Sequence, residues 1–246
     1  MKNIVLIAIS TFITVNCFAQ GTFTQPFQSA LIVGGSFSNQ NQLTELNTSI
    51  GYSFNGNVEL GLTYKKGFIS NFGDIKNVEE ASFSPYVNYV VSRNEYSYLP
   101  YSISLRAEYD RFDMSTPNNP SLLSANNEIY KVGASLFSSK YVNHWLTIYP
   151  SVTAYYGHSK MTYNANSEIL GGANSSDYLI SRTNYLEIVG GFDLGFSSIG
   201  NSKFIISQNI AYSNSEIKFE MGINFLLASG STTRRRKCGK YGCPIF

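Results

Sequence analysis

The 246 residues carry 18 Lys and Arg against 16 Asp and Glu, with only 14% charged side chains and with 18 Tyr, 17 Phe and 20 Gly. That balance excludes a disordered chain, which would be poor in aromatics and richer in charge. The formal net charge of +2 hides an asymmetry. Lys2 and five bases in the last 13 positions leave 12 bases against 16 acids over residues 20–230, so a mildly acidic body precedes a strongly basic tail.

The N-terminus reads as an export signal. Lys2 supplies a positive start, Ile4 to Ile13 an apolar stretch, and Cys17-Phe18-Ala19 a small-x-small cleavage site, with cleavage expected after Ala19 or Gln20. A lipid-attachment role for Cys17 is the alternative, weakened because Thr14, Val15 and Asn16 lack the usual preceding residues. No other apolar run approaches the roughly 18 residues that a spanning helix needs. The mature chain therefore divides into a body over 20–228 and a tail over 229–246, after a signal over 1–19.

Period-two alternation and turn signals predict ten strands, near 27–37, 45–54, 57–65, 79–92, 98–112, 127–139, 145–157, 178–197, 203–212 and 216–227. An eight-stranded arrangement is the alternative. In the last strand Ile217, Phe219, Met221, Ile223, Phe225 and Leu227 share one face, and Lys218, Glu220, Gly222 and Asn224 the other. Asn55-Gly56 between two alternating runs marks a type I′ hairpin, both central positions of which need positive φ. Gly190-Gly191 in the eighth segment suggests a bulge or bend.

The connections alternate in length. Asn55-Gly56, 93–97, 140–144 and 198–202 are short, whereas 66–78, 113–126 and 158–177 are long; 38–44 and 213–215 are short exceptions among the external loops. Short turns on one side, longer loops on the other and an even strand count are what an outer-membrane barrel with both termini in the periplasm requires.

The chain resembles the small outer-membrane β-barrel proteins of Gram-negative bacteria, particularly the porin-family barrels of the Bacteroidota. The resemblance covers residues 21–227 and rests on the signal ending in Ala19-Gln20, the Asn/Tyr/Phe-rich alternating strands and the rhythm of short turns and long loops. It implies an all-β, transmembrane, antiparallel up-and-down barrel in the outer membrane, monomeric and surrounded by lipid. Members of that group anchor complexes, bind external ligands or have no assigned role, so the resemblance fixes location more than activity.

Eight charged residues fall on the face opposite the apolar one: Glu59, Arg106, Glu108, Lys131, Glu187, Asp193, Lys218 and Glu220. In a barrel of this size they would neutralise one another across a nearly filled lumen, with Gly51, Gly61, Gly133, Gly191 and Gly222 relieving crowding. A narrow pore would use the same residue types as a selectivity ring.

An enzymatic barrel is the competing class. His158, followed by Ser159 and then Glu168, is similar to the Ser/His/acid sets of outer-membrane lipid A deacylases, but adjacent residues point to opposite faces. His158 with Asp177 or Asp110 would be the protease alternative, and His144 sits beside Trp145, where interfacial anchoring is the simpler role. The expectation is a noncatalytic chain with no cofactor and no metal.

The tail departs from a generic barrel. Arg234, Arg235, Arg236 and Lys237 form a basic run, and Cys238 and Cys243 bracket a compact loop containing Lys240 and Tyr241, ahead of Phe246. With Cys17 removed and an oxidising compartment, Cys238 and Cys243 are expected to form a disulfide; free or intermolecular thiols and a metal half-site are the alternatives. The basic run is either a solvated tail or, with Tyr241 and Phe246 as apolar anchors, a docking peptide for an acidic periplasmic partner. Nucleic acid is excluded by compartment.

Overall fold

The structure is a computed structural model that describes residues 29–40, 43–72, 75–93, 101–115, 124–142, 145–164, 178–197, 203–214 and 216–229. The expected signal over 1–19, His144, Glu168, Asp177 and the expected tail over 230–246 with Cys238 and Cys243 lie outside the described residues.

Ten long strands follow one another: β1 (Ser29–Gln40), β2 (Leu43–Phe54), β3 (Val58–Phe72), β4 (Ile75–Ser92), β5 (Ser102–Ser115), β6 (Ser124–Phe137), β7 (Leu146–Asn164), β8 (Tyr178–Ser197), β9 (Lys203–Ser213) and β10 (Glu216–Ser229). A two-residue extended stretch, Lys140–Tyr141, pairs with Thr147 and Ile148 between β6 and β7. Every strand is antiparallel to its chain neighbours, and β1 pairs with β10, so the sheet closes on itself. Ten strands, not eight, make the ring, and closure removes the free edges that an open sheet would expose.

The register drifts steadily round the ring. Partners followed from Ala30 through each strand arrive at Glu216 of β10, level with the opposite end of β1, which is the stagger that tilted barrel strands require. The start of β1 and the end of β10, Ser29 and Ser229, are paired at one mouth, called here the near mouth. The β2–β3 turn lies there too: Asn55 and Gly56 both have positive φ, 51° and 69°, and the Asn55 N–H donates to Ser29 Oγ at 3.1 Å.

At the far mouth the strands run past their expected ends. The segment 66–78, expected as a long loop, is mostly hairpin, with Phe68 opposite Glu79, Asn71 opposite Lys76 and Phe72 opposite Ile75. The expected loops 113–126 and 158–177 likewise lose Asp113–Ser115, Ser124–Asn126 and His158–Asn164 to paired strand. Antiparallel pairing needs only matched backbone groups, so it continues beyond the alternation that marked the strands in the sequence.

No bulge occurs at Gly190-Gly191; both residues pair continuously with Ile210 and Asn209 on one side and with Val152 and Ser151 on the other. A Cβ at Gly191 would overlap the Asn209 side chain, whereas Gly190 faces outward into open space, so close approach and not bending explains the inward glycine. The register irregularity lies instead between Val90 and Ser92 of β4.

Burial is inverted relative to a soluble protein. Leu46, Ile50, Leu60, Leu62, Leu105, Val132, Ile188 and Ile223 are exposed, while Glu45, Glu59, Lys65, Arg106, Asp110 and Asp193 are buried. Outward aromatics bracket the apolar belt. On the near side Trp145, Phe196, Phe204 and Phe225 make a run of ring contacts across β7 to β10, at centroid separations of 5.9, 6.1 and 5.3 Å. On the far side Tyr64 meets Phe83 at 5.1 Å and Tyr109 meets Tyr130 at 4.9 Å. An apolar band between two aromatic girdles matches a bilayer and its two interfaces.

Candidate functional site

The lumen is where the chemistry-bearing side chains converge. Strand alternation sends every second residue inward, and the concave wall brings groups from different strands within reach of each other. Each of the eight charged residues singled out in the sequence faces this interior, but their partners are not all among themselves.

The central cluster is built from β3, β4, β5, β6 and β8. Arg106 holds Glu108 through Nε and Nη2, both at 3.2 Å, and its guanidinium stacks on the Tyr86 ring at 3.9 Å. The Tyr86 hydroxyl donates to Glu59 at 2.8 Å. Lys65, at the end of the third expected strand, ion-pairs with Asp110 at 2.8 Å and with Glu108 at 3.6 Å. Lys131 pairs with Glu187 at 3.0 Å, spanning β7.

Tyrosines fill the space that inward glycines leave. Tyr86 lies directly opposite Gly61 and Tyr155 opposite Gly133, and a Cβ at either glycine would overlap the ring. Gly61→Ala is therefore expected to push Tyr86 off Glu59 and to cost about 1–3 kcal/mol, read as a lower urea midpoint in micelles. An unchanged midpoint would mean that the Tyr86–Glu59 contact carries no stability.

Toward the far mouth a second group gathers around Lys218. This ammonium contacts Glu45 closely and lies 3.8 Å from Glu220. Ser38 donates to Glu45 at 2.5 Å, Ser36 to Glu220 at 2.6 Å, and Asn47 to Glu220 at 2.7 Å. Glu45 and Glu80 share the inward parity with the sequence-identified charges. They were missed because both sit at strand ends where the apolar alternation fades.

Toward the near mouth an apolar cluster on the β7, β9, β10 and β1 side of the wall sits among buried polar residues that include Ser53, Ser102, Ser104, Thr147 and Asn224. Ala30, Ile32, Ile205 and Leu226, all 0% exposed, pack with Tyr149 inside the barrel. Tyr155, Val189 and Ala211 form a second apolar cluster. Asp193, also 0% exposed, sits opposite Ser207 and Tyr149 and has no ion pair among the described residues. Asp193, expected to be neutralised by Arg106, Lys131 or Lys218, pairs with none of them; those bases meet Glu108, Glu187 and Glu45 instead. At the rim Lys203 reaches the Tyr149 hydroxyl at 3.0 Å, and Arg93 donates to the Gly56 carbonyl.

The residues of the hydrolase alternative are separated. His158 lies on the outward parity with Nδ1 2.7 Å from Asn184 Oδ1, whereas Ser159 points inward and donates to Asn127 at 2.8 Å. Asp110 is buried against Lys65, on the opposite face from His158.

A closed antiparallel barrel with an ion-paired interior and a lipid-suited exterior defines a transmembrane β-barrel protein. No protein-family model matches the chain, and no curated protein sequence does. Among solved structures it is similar to the translocator domain of the autotransporter NalP from Neisseria meningitidis, at 11% identity over 92% of this chain and 94% of that one, with a TM-score of 0.49. It is also similar to the beta domain of the Bordetella autotransporter Brka, at 11% identity over 81% and 99% with a TM-score of 0.45. Ail, the attachment invasion locus protein of Yersinia pestis, follows at 11% identity over 83% and 100%, with a TM-score of 0.39. The assignment to a membrane barrel rests on the belt, the girdles and the lumen, not on these similarities.

Proposed function

We propose that the chain is a noncatalytic outer-membrane barrel serving as membrane anchor or accessory subunit of an envelope complex, with its basic tail docking a periplasmic partner. The observation that supports the nonconducting part is the filled interior, where the ion-paired cluster of Lys65, Arg106, Glu108, Asp110, Lys131 and Glu187 is joined toward the near mouth by the buried apolar side chains of Ile32, Ile205 and Leu226. A barrel of this diameter whose inward side chains pair with one another leaves little room for hydrated ions. A barrel so filled acts through what it holds in place. In this reading the near mouth faces the periplasm, and Arg234, Arg235, Arg236, Lys237, Lys240, Tyr241 and Phe246 are the docking residues.

Two measurements test it. Purified protein in planar bilayers is expected to give no stepwise conductance; reproducible steps would transfer the reading to a narrow porin. Gentle-detergent capture of the full chain and of a version ending at Gly230, followed by mass spectrometry, is expected to show envelope proteins lost only with the tail. Equal recovery from both would remove the docking role.

A further inference from the structure

The outward face is charged at one end and over one sector only. Among the described residues β1, β2, β9 and β10 turn no charged side chain outward, and none of the ten long strands does so toward the near mouth. The outward charges gather on β3 to β8 at the far end. There a single register row leaves the aromatic girdle. Tyr64 of β3 lies opposite Phe83 of β4, Phe83 opposite Arg111 of β5, Arg111 opposite Glu128 of β6, Glu128 opposite Lys160 of β7, and Lys160 opposite Arg182 of β8. With strands tilted as in a barrel, each step across the row climbs roughly 3 Å along the axis, which carries it from the girdle into the headgroup layer.

At the outer end of the row Lys160 and Arg182 are like charges directly opposite each other on one face, an arrangement that destabilises a sheet unless an anion joins them. Lys160 reaches Glu128 at 3.5 Å in a water-accessible pair, which holds weakly and leaves other ammonium hydrogens to donate. Arg182 is exposed, has no hydrogen bond or ion pair among the described residues, and stands two strands from Glu128. Two bases against one acid leave one positive charge over. One pleat nearer the belt on the same two strands, His158 Nδ1 lies 2.7 Å from Asn184 Oδ1, so the Asn184 amide nitrogen remains for another acceptor. One pleat further in, Tyr156 lies opposite Leu186, 54% and 59% exposed on the apolar belt. Going inward along β7 and β8, the outer wall thus presents cations, then a hydrogen-bond donor, then apolar surface. A membrane lipid presents phosphate, glycerol and acyl chain in that same order.

We infer that this patch binds one anionic lipid with a phosphodiester headgroup from the leaflet at the far mouth. The Arg182 guanidinium offers paired N–H donors to the phosphate oxygens, Lys160 adds a second cation, and the single excess charge of the patch matches the single charge of a phosphodiester. The acyl chains lie on Tyr156 and Leu186.

The test is native mass spectrometry of the full-length chain in maltoside micelles titrated with dioleoyl phosphatidylglycerol, beside Arg182→Gln, Lys160→Gln/Arg182→Gln and Lys66→Gln. Lys66 is an outward base of β3 held by Glu79 at 3.2 Å, so its variant controls for a base lost elsewhere at the same end. All three positions face outward, so folded-form mobility in unheated gels is expected to match wild type, and Arg182→Gln alone carries the test if the double variant does not fold. One phosphatidylglycerol per chain is expected for wild type and Lys66→Gln, with affinity about fivefold weaker for Arg182→Gln and about thirtyfold weaker for the double variant. Undiminished binding by Arg182→Gln, an equal loss in Lys66→Gln, or zwitterionic phosphatidylcholine held as tightly as phosphatidylglycerol would each overturn the site. Displacement of the lipid by an equal concentration of inorganic phosphate would also overturn it, as a site for free anions.

Discussion

Arg106→Met is expected to lower the unfolding free energy by about 3–5 kcal/mol, the usual loss when one partner of a buried ion pair is removed. Arg106 and Glu108 have side chains only 2% exposed, and Arg106 also stacks on the tyrosine that donates to Glu59. Removing the guanidinium therefore strips one carboxylate of its bidentate donor and loosens the ring that serves another. Methionine retains much of the packing volume, so the loss reads charge and not a cavity. The companion variant Arg106→Met/Glu108→Met removes both members and is expected to recover most of the loss, since paired apolar replacement of buried ions is often near neutral. Reversible urea unfolding into lipid vesicles, followed by the fluorescence of Trp145, measures both. Equal losses in the single and double variants would show that Glu108 does not depend on Arg106.

One residue earlier, the same side chain should be harmful. Leu105→Arg is expected to cost about 2–4 kcal/mol in the vesicle assay, because Leu105 is 51% exposed on the outward face inside the apolar belt. Successive strand residues point to opposite faces, so positions 105 and 106 differ only in whether an arginine meets lipid or the Glu108 carboxylate. The penalty should fall to within about 1 kcal/mol for Tyr101→Arg, beyond the belt at the start of β5, where an arginine can reach the interface. A small effect at Leu105 together with a large one at Tyr101 would mean that the belt is misplaced along the strands.

These two positions also show how much the sequence could reveal. The assignment of Leu105 and Arg106 to opposite faces needed only period-two alternation, and so did the inward placement of Glu59, Lys131, Glu187 and Lys218. Asn55-Gly56 announced its hairpin because two consecutive positive φ angles demand that pair. Strand ends were less legible. Lys65, Glu45 and Glu80 obey the same parity, but they lie where the outward neighbours cease to be reliably apolar, so nothing local separated them from loop residues. The hairpin through 66–78 was missed for the same reason: outside the belt, pairing no longer requires an apolar outward face.

What the sequence by itself determined is the class of object: a closed, alternating strand ring with one face for lipid and one for the interior, because both follow from a periodicity of two along a single chain. What only the tertiary structure decided is which interior groups are satisfied. Lys218 meets Glu45 across 173 positions, Lys131 meets Glu187 across 56, Asp193 and Glu80 have no ion pair among the described residues, and Ile32, Ile205 and Leu226 come together on one side of the near half. Those outcomes depend on the stagger between strands, which sets the height at which each inward side chain enters the lumen. Stagger is a property of the closed ring, absent from any one strand.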